Sequence, residues 1–359
     1  MGRHAEAKEA IDPSIEVALK IGYQRRLLQI YSLIGQYNIN VEEDFTKGLH
    51  HFEEALRISE EINDMGSLGL ANSGLSGALF SNCEFKRAIS HMEKAHDIYL
   101  AANNLRGIVA TKSTLCHWYN YQGRLDFGYK TSHEALRIAE ESGDIYSNSF
   151  AYTRCGTSCY YKGYLEEAVD YLLKGIDFSE RLNSFENIYN AQSFLALAYI
   201  EIGEYKKAKD HSRKPIIAGE QAGTGLSRIN LSKMSLARAR TMNNEKDIDL
   251  ESLYGYAYEN KFKIFDGRMR RYLGEILLYI DDQHISQAED WIKKAIEVDE
   301  MHGMMWYLGR DYALYADLFK RKGDQSKAKE NLNKAIEILK ECGADGWVEK
   351  YEKELALFS

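Results

Sequence analysis

The sequence predicts an all-α fold, a solenoid of about eight antiparallel helix pairs with a period of forty residues, followed by a terminal capping helix. Three columns of residues that recur at this period carry the prediction. The first consists mostly of small residues: Ala55, Ala95, Ala135, Gly175, Pro215, Gly255, Ala295 and Ala335. A second column of mostly small residues lies seven positions earlier, and a turn column that is rich in glycine lies five before that. Self-similarity at a fixed period is typical of repeat proteins.

Each forty-residue unit is predicted to form two helices, and repeat five shows the helical spacing of its apolar residues well. Apolar residues recur at helical spacing through 187–202, Gly203 predicts a turn, and 204–221 are expected to form the second helix. Two antiparallel helices approach closely only where side chains are small, which accounts for the Ala and Gly columns. Because a helix pair cannot bury its apolar face alone, we expect stacking in which each repeat contacts only its neighbours.

The period divides the chain into three parts. Residues 1–20 correspond to the second helix of a truncated repeat, since the opening phrase GRHAEA (2–7) matches the inner phrase GEYKKA (203–208). Residues 21–342 hold eight tandem repeats. Residues 343–359 predict a capping helix with one apolar face, formed by Trp347, Tyr351, Leu355 and Phe358. We therefore expect this chain to be the C-terminal part of a longer protein.

Repeat six is the least regular unit. Its turn lacks both the glycine and the aromatic residue, and Ile248 replaces a small residue. Just before it, Pro215 falls inside a predicted helix, where a proline removes a hydrogen bond and costs about 3 kcal/mol or more. This predicts either a local kink between repeats five and six or, equally, a proline near a shortened helix end.

The residues around the turns resemble the tetratricopeptide repeat. The matching sets are Leu195, Tyr199, Gly203, Tyr205 and Ala208 in repeat five, and Leu115, Tyr119, Gly123, Leu125, Gly128 and Ala135 in repeat three. The resemblance covers nearly the whole chain, although the period exceeds the usual length of about 34 residues. The long unit and the tail ECGADGWVEKYEKELALFS resemble the C-terminal region of large bacterial signalling proteins, such as ATPase–adenylate/guanylate cyclases and maltose-type regulators. The resemblance implies a right-handed superhelix whose first helices line the concave face.

Composition and motifs exclude several classes of function. The net charge of −8 argues against nucleic acid as a partner, and no apolar run approaches the roughly 20 residues that span a membrane. The five cysteines show no metal-type spacing, which favours buried thiols in a cytoplasmic protein. The sequence contains no Walker, G-x-S-x-G or H-E-x-x-H motif, so we expect no cofactor, no metal site and no catalysis in this chain.

Aromatic residues of repeats three and four are the first candidate binding surface on the concave face. A column of small residues (Ser73, Ser113, Thr153, Ser193) predicts an open floor beside them. The candidate residues are His117, Tyr121, Phe150, Arg154, Tyr160 and Tyr161. Tyrosine and arginine are common at binding hot spots. The alternative is packing, since the chain holds 25 tyrosines and most of them must fill the interior.

A polar column at the start of the concave helices is the second candidate. It reads Asn190, Asn230, Arg270 and Arg310, and Arg228, Lys233, Arg238, Arg240 and Arg268 add positive charge to the same half. Asparagine suits a peptide backbone and arginine suits carboxylates, so this half is a candidate site for an acidic peptide. The alternative is intramolecular pairing with Glu201, Glu275, Asp281 or Asp317.

These observations favour a protein–protein interaction module. The predicted function is a regulatory scaffold whose concave groove binds a protein or peptide, either an acidic segment or another domain of the same parent protein. The alternative is a small-ligand sensor with a pocket inside the solenoid, and an enzyme is the least favoured class.

Overall fold

The computed structural model describes residues 4–358, and within that range it contains eighteen α-helices and no β-strand. The helices are α1 (His4–Ile21), α2 (Gln24–Tyr37), α3 (Phe45–Glu61), α4 (Met65–Ser81), α5 (Phe85–Ala101), α6 (Leu105–Tyr121), α7 (Leu125–Ser142), α8 (Ile145–Lys162), α9 (Leu165–Arg181), α10 (Phe185–Ile202), α11 (Tyr205–Ala222), α12 (Leu226–Met242), α13 (Leu250–Glu259), α14 (Lys263–Ile280), α15 (Ile285–Met301), α16 (Met305–Arg321), α17 (Gln325–Cys342) and α18 (Asp345–Leu355). A π-helical turn (Asn38–Glu42) follows α2, and a short 3₁₀ helix (Ala356–Phe358) follows α18.

The helices form eight consecutive pairs, from α2/α3 to α16/α17, with α1 packed against α2 before them and α18 against α17 after them. The predicted all-α class, with about eight repeats and a terminal helix, is confirmed. Gly2 and Arg3 of the opening phrase lie outside the described residues.

Both kinds of turn repeat with the period of forty. Residues with positive φ recur inside the pairs at Glu43, Cys83, Gly123, Gly163, Gly203 and Gly323, and between the pairs at Asn63, Asn103, Gly143, Asn183, Gly223, Gly303 and Gly343. Glycine and asparagine adopt this left-handed conformation most readily, so the turn column of the sequence reflects a backbone requirement.

The small columns lie where paired helices touch. Ala88, Ala168 and Ala328 are completely buried. A Cβ at Gly128 would lie 1.9 Å from Oδ1 of Asn120, and one at Gly175 would lie 2.9 Å from the backbone nitrogen of Thr153. Larger side chains at these positions would separate the two helices of a pair.

Repeat six differs from the others mainly in its second helix. Helix α13 has ten residues, fewer than any other described α-helix. The loop before it is tied by Glu245, which pairs with both Lys209 and Arg240. Helix α11 is not shortened at Pro215: it remains helical from Tyr205 to Ala222, and the proline is buried.

The expectation that each repeat contacts only its neighbours is wrong. Helices α14, α16 and α18 reach back to α4, α6 and α8. Nε1 of Trp306 donates to the carbonyl oxygen of Tyr161 at 2.9 Å, and Nε1 of Trp347 donates to that of Tyr160 at 3.0 Å. We call this contact the seam. The small rotation between successive repeats accumulates until the last helices meet the second, third and fourth repeats, which converts an open groove into an enclosed interior.

Candidate binding cavity

A cavity of about 320 Å³ lies inside the superhelix. Its walls come mainly from the first helices of repeats one to seven, namely α2, α4, α6, α8, α10, α12 and α14. The concave face of the solenoid therefore lines a single pocket, and its size is within the range of ligand sites in proteins, roughly 300–1,000 Å³.

One side of the cavity is aromatic. Phe80 stacks on Trp118 with ring centroids 3.5 Å apart, and Tyr121 meets Phe80 edge-on at 5.0 Å. Phe262, directly before α14, and Phe265, on α14, stack on each other with ring centroids 5.1 Å apart. These rings are held by their neighbours, so the apolar surface that they offer a ligand is rigid.

The floor at α4 is open because its side chains are small. Ser73, Gly74 and Gly77 line it. A Cβ at Gly77 would meet no atom within 4 Å, whereas one at Gly74 would clash with the ring of Phe52. Gly77 is thus a position from which a larger side chain would project into the cavity without disturbing the helices.

Three arginines line the cavity without a carboxylate partner among the described residues. Arg154 and Arg268 expose only 6% and 7% of their surface, and Arg228 is half-buried. In these three side chains, the buried nitrogens that meet no hydrogen-bond acceptor among the described residues are Nε and Nη1 of Arg154, Nε of Arg228 and Nε of Arg268. The contacts that do exist are neutral: Nη2 of Arg268 donates to the hydroxyl of Tyr121 at 2.9 Å, and Nη2 of Arg228 donates to Oδ1 of Asn40 at 3.1 Å. Buried charges are usually paired, so this group is exceptional.

His117 lies between these cations and is neutral. Burial, together with the charges of Arg154 and Arg268, holds the pKa of His117 well below its usual range. Within residues 4–358, neither its Nδ1 nor the hydroxyl of Ser193 on α10 has a hydrogen-bond partner. The cavity therefore offers several unsatisfied polar groups next to its aromatic side.

Four of the ten predicted site residues line the cavity: His117, Tyr121, Arg154 and Asn190. The structure does not bring the other six to it. Phe150 is half-buried below the guanidinium of Arg154, 5.1 Å away. Asn230 is buried on α12 outside the lining.

Tyr160 and Tyr161 belong to the seam instead of the cavity. The hydroxyl groups of Tyr161 and Tyr307 are 2.6 Å apart, and the ring of Tyr161 meets Trp306 edge-on at 4.7 Å. The predicted aromatic wall at repeat four is thus covered by the last repeats, because the superhelix closes there. For these two tyrosines the packing alternative holds.

Arg270 and Arg310 are both paired within the chain. Arg310 pairs with Glu201, one of the partners named in the alternative for the polar column, whereas Arg270 pairs with Asp266, which was not named. Nε of Arg270 lies 2.7 Å from Oδ1 of Asp266, one helical turn away. Nη2 of Arg310 lies 2.8 Å from Oε1 of Glu201, and its guanidinium stacks 3.7 Å from the ring of Trp347.

Glu201 is the centre of a buried ionic cluster beside the seam. It also accepts from Arg238, at 2.9 Å, and Arg238 in turn binds Glu275 at 2.7 Å. Burial alone would raise the pKa of Glu201, but the charges of Arg310, Lys350 and Arg238 outweigh it and hold that pKa well below its usual range. Nearby, Nη1 of Arg271 lies 3.3 Å from Oδ1 of Asp311, and both residues are buried.

The sequence interpretation missed several lining residues, including Trp118, Tyr189, Phe262 and Phe265. It included Arg228 and Arg268 only as part of a general positive charge. One available signal was the forty-residue step from Gly77, which reaches His117 and Leu197, both in the lining. The step misses the lining at repeat four, where it reaches Thr157. It fails again beyond repeat five, because the register of the cavity-facing positions shifts between α10 and α12.

Over residues 4–358, no helix combines the length and the apolar character that crossing a membrane requires. The same part of the chain contains no group of His, Cys, Asp and Glu side chains arranged to hold a metal ion. Cys116, Cys155 and Cys159 are fully buried, and burial raises the pKa of the Cys116 thiol to about 12.

Comparison with known proteins identifies the fold. No protein-family model and no curated protein matches the sequence. Among solved structures, a Rap protein complexed with Competence and Sporulation Factor is similar over 99% of this chain and 98% of its own, with 13% identity and a TM-score of 0.62. The Rap conjugation gene regulator of plasmid pLS20, in complex with the Phr peptide, is similar over 95% of both chains, with 14% identity and a TM-score of 0.60.

A third similar structure is a signal transduction ATPase with a tetratricopeptide repeat sensor from Pyrococcus horikoshii. The match covers 95% of this chain but 51% of that one, with 18% identity and a TM-score of 0.51. At such identities the likeness concerns the fold. The chain is a tetratricopeptide-type repeat solenoid that resembles the repeat regions of signalling proteins.

Proposed function

We propose that this protein is a regulatory scaffold that binds a short peptide segment in the cavity. The observation that carries the proposal is the cavity itself, in which unsatisfied polar groups face a rigid aromatic surface. Two structures with the same fold, described above, hold a signalling factor or a peptide. A ligand there would satisfy groups that the chain leaves unpaired, which makes binding selective for partners that offer the matching groups.

Four residues of the lining are the proposed ligand contacts. His117 and Arg154 have nitrogens without a partner, and Tyr121 offers an aromatic face. The side-chain amide of Asn190 donates to the carbonyl oxygen of Glu186 at 2.9 Å, and its own oxygen remains available as an acceptor for a peptide N–H.

The ligand peptide belongs either to a separate protein or to another domain of a longer parent protein, and the scaffold acts in the cytoplasm without catalysis of its own. The buried thiols and the absence of enzyme motifs support this part of the proposal. The similarity to the sensor region of a larger ATPase supports the parent-protein version.

Filling the cavity from Gly77 tests the proposal. Gly77→Phe is expected to fold, since the new side chain enters open space, and to abolish retention of peptides from a randomised pentapeptide pool, measured by gel filtration and mass spectrometry. The matched control is Gly255→Phe, because Gly255 is also helical and unobstructed but lies outside the lining. Equal retention by the wild type and the folded Gly77→Phe variant would contradict a ligand site in the cavity.

A small-ligand sensor is the second candidate, and the modest volume of about 320 Å³ favours it. The same pair of variants distinguishes the two. If metabolites raise the melting temperature of the wild type and of Gly255→Phe but not of Gly77→Phe, while no peptide does so, the small-ligand alternative replaces the peptide.

A further inference from the structure

We infer that Arg154, Arg228 and Arg268 form a carboxylate-binding subsite, which takes an acidic side chain or the C-terminal carboxylate of the bound peptide. The inference rests on the proposed function and specifies its ligand. The three cations come from three helices, α8, α12 and α14, and converge on one cavity. The polar column predicted from the sequence does not contribute, because its two arginines are already paired.

The three arginines of the cavity lack a sufficient negative counter-charge. Among the described residues that line the cavity, Glu186 is the one acid, so three arginines and one glutamate leave an excess of two positive charges. Glu186 lies at an exposed position in the first turn of α10 and forms no ion pair with the three arginines. His117 adds no charge, since it is neutral. A guanidinium stays protonated even when it is buried, so this excess persists at neutral pH.

Aromatic rings hold the three guanidinium groups in place. Each one lies against an aromatic ring: Arg154 is 5.1 Å from Phe150, Arg228 is 5.6 Å from Phe262, and Arg268 is 5.5 Å from Phe265. Stacking covers the faces of these groups, and the edge nitrogens without an acceptor among the described residues are Nε and Nη1 of Arg154 and Nε of Arg228 and Arg268. A planar fork of N–H donors matches the two oxygens of a carboxylate.

The other buried or nearly buried arginines of the chain differ from these three because they have carboxylate partners. Arg238, Arg271 and Arg310 each have a carboxylate within 3.3 Å. The chain therefore supplies partners for buried guanidinium groups where their role is structural. In the cavity no described residue supplies a carboxylate partner, so the carboxylate has to come from a ligand.

Four pentapeptide pools test the subsite. All are acetylated, one position is fixed as Glu or as Gln, and each version carries a C-terminal acid or amide. The wild type is expected to bind every pool that contains a carboxylate at least about tenfold more tightly than the Gln-amide pool. Comparison of the Glu-amide and Gln-acid pools shows whether a side chain or the C-terminus supplies the carboxylate.

The matched variants are Arg154→Met and Arg268→Met, which keep a long apolar stem, and Arg270→Met, which removes an arginine outside the cavity. We expect the first two to lose the preference for a carboxylate and the third to keep it. If a methionine variant does not fold, Arg154→Lys serves instead, because lysine keeps the charge but not the fork. A preference that persists in the folded Arg154 and Arg268 variants would overturn the inference.

Outcomes for the inference and for the proposed function are separable. Equal binding of all four pools, together with loss of binding in Gly77→Phe, would leave the proposed function in place and overturn the subsite. If no pool binds, glutarate at constant ionic strength is the second probe. A rise in melting temperature in the wild type but not in Arg154→Met would support the subsite and contradict the peptide. No rise with glutarate, or a larger rise with inorganic phosphate, would overturn the carboxylate assignment.

Discussion

Two groups of buried or half-buried arginines in this solenoid differ in whether they form an ion pair with a carboxylate of the same chain. Arg238, Arg271 and Arg310, beside the seam, have carboxylate partners. Arg154, Arg228 and Arg268, in the cavity, have none among the described residues. Breaking a buried pair is strongly destabilising, whereas an unpaired buried charge is itself a cost to the fold. The paired arginines therefore stabilise the closed superhelix, whereas the unpaired arginines of the cavity are retained at the expense of stability.

Removal of the shared acceptor in the paired group should have the largest effect. Glu201→Gln leaves Arg238 and Arg310 buried with a neutral neighbour, and we expect a loss of about 3–5 kcal/mol in the free energy of unfolding, measured with urea. The control is Glu204→Gln, since Glu204 is exposed and pairs with Lys207 at 3.5 Å; its effect should stay within about 0.5 kcal/mol. Similar small losses for both variants would show that the seam cluster does not hold the superhelix closed.

A pair of buried carboxylates next to Arg271 should give the protein a distinctive pH dependence. Burial and the neighbouring Asp311 raise the pKa of Asp299 well above its usual value, and burial raises the pKa of Asp311 to about 6. A carboxyl whose pKa is higher in the folded than in the unfolded state contributes stability at low pH. That stability is lost as the pH rises through the folded-state pKa.

Asp299→Asn removes one of these charges. The variant should gain stability relative to the wild type as the pH rises from about 4, the pKa of an unfolded aspartate, through about 6, the pKa of Asp311, measured by urea unfolding at each pH. The wild-type curve is the reference at each pH, so carboxylates elsewhere cancel in the difference. A difference that does not change with pH would show that burial does not raise the pKa values of this pair.

The unpaired group should behave in the opposite way from the paired group. Arg154→Met removes a buried charge that forms no ion pair with any described carboxylate. We therefore expect the ligand-free protein to gain about 1 kcal/mol in the free energy of unfolding. Arg238→Met is the matched variant in the paired group and should lose stability. Loss of stability in both would mean that the cavity arginines are structural after all.

The smallest effect is expected outside both groups. Arg270 pairs with Asp266 one turn away on α14, and both side chains are about one quarter exposed. Arg270→Ala should therefore cost about 0.5 kcal/mol or less and leave ligand binding unchanged. A tenfold loss of affinity in the peptide-pool assay, taken as about 1.4 kcal/mol, would return Arg270 to the binding site.

The repeat architecture could be predicted from the sequence because it is encoded locally. The turn residues and the small columns lie within forty residues of the groups that they contact, and the glycine at 203 adopts the positive φ that the turn requires. The seam could not be predicted in this way. Tyr161 and Trp306 are 145 positions apart, and they meet only because small rotations accumulate over five repeats.

The candidate site was predictable in part for the same reason. His117, Tyr121 and Arg154 lie in regular repeats, where a period of forty keeps the register of the concave face. The register shifts between α10 and α12, since Asn190 lines the cavity but Asn230 does not. On α12 and α14 the arginines in the lining are Arg228 and Arg268, which are forty residues apart, and Arg270 lies outside it. Two residues apart on a helix point to nearly opposite sides, which separates a cavity residue from an outer one.

Closure of the superhelix also restricts how this chain can evolve. Gly346 approaches Gly163 so closely that a Cβ on Gly346 would lie 2.6 Å from the carbonyl oxygen of Gly163. This contact joins the terminal helix to a fixed partner, the fourth repeat. Open solenoids tolerate duplication or loss of a unit, because every internal interface is equivalent. Here one added or deleted unit between residues 163 and 346 would rotate α18 away from α8, so natural variation in length should accumulate outside this interval.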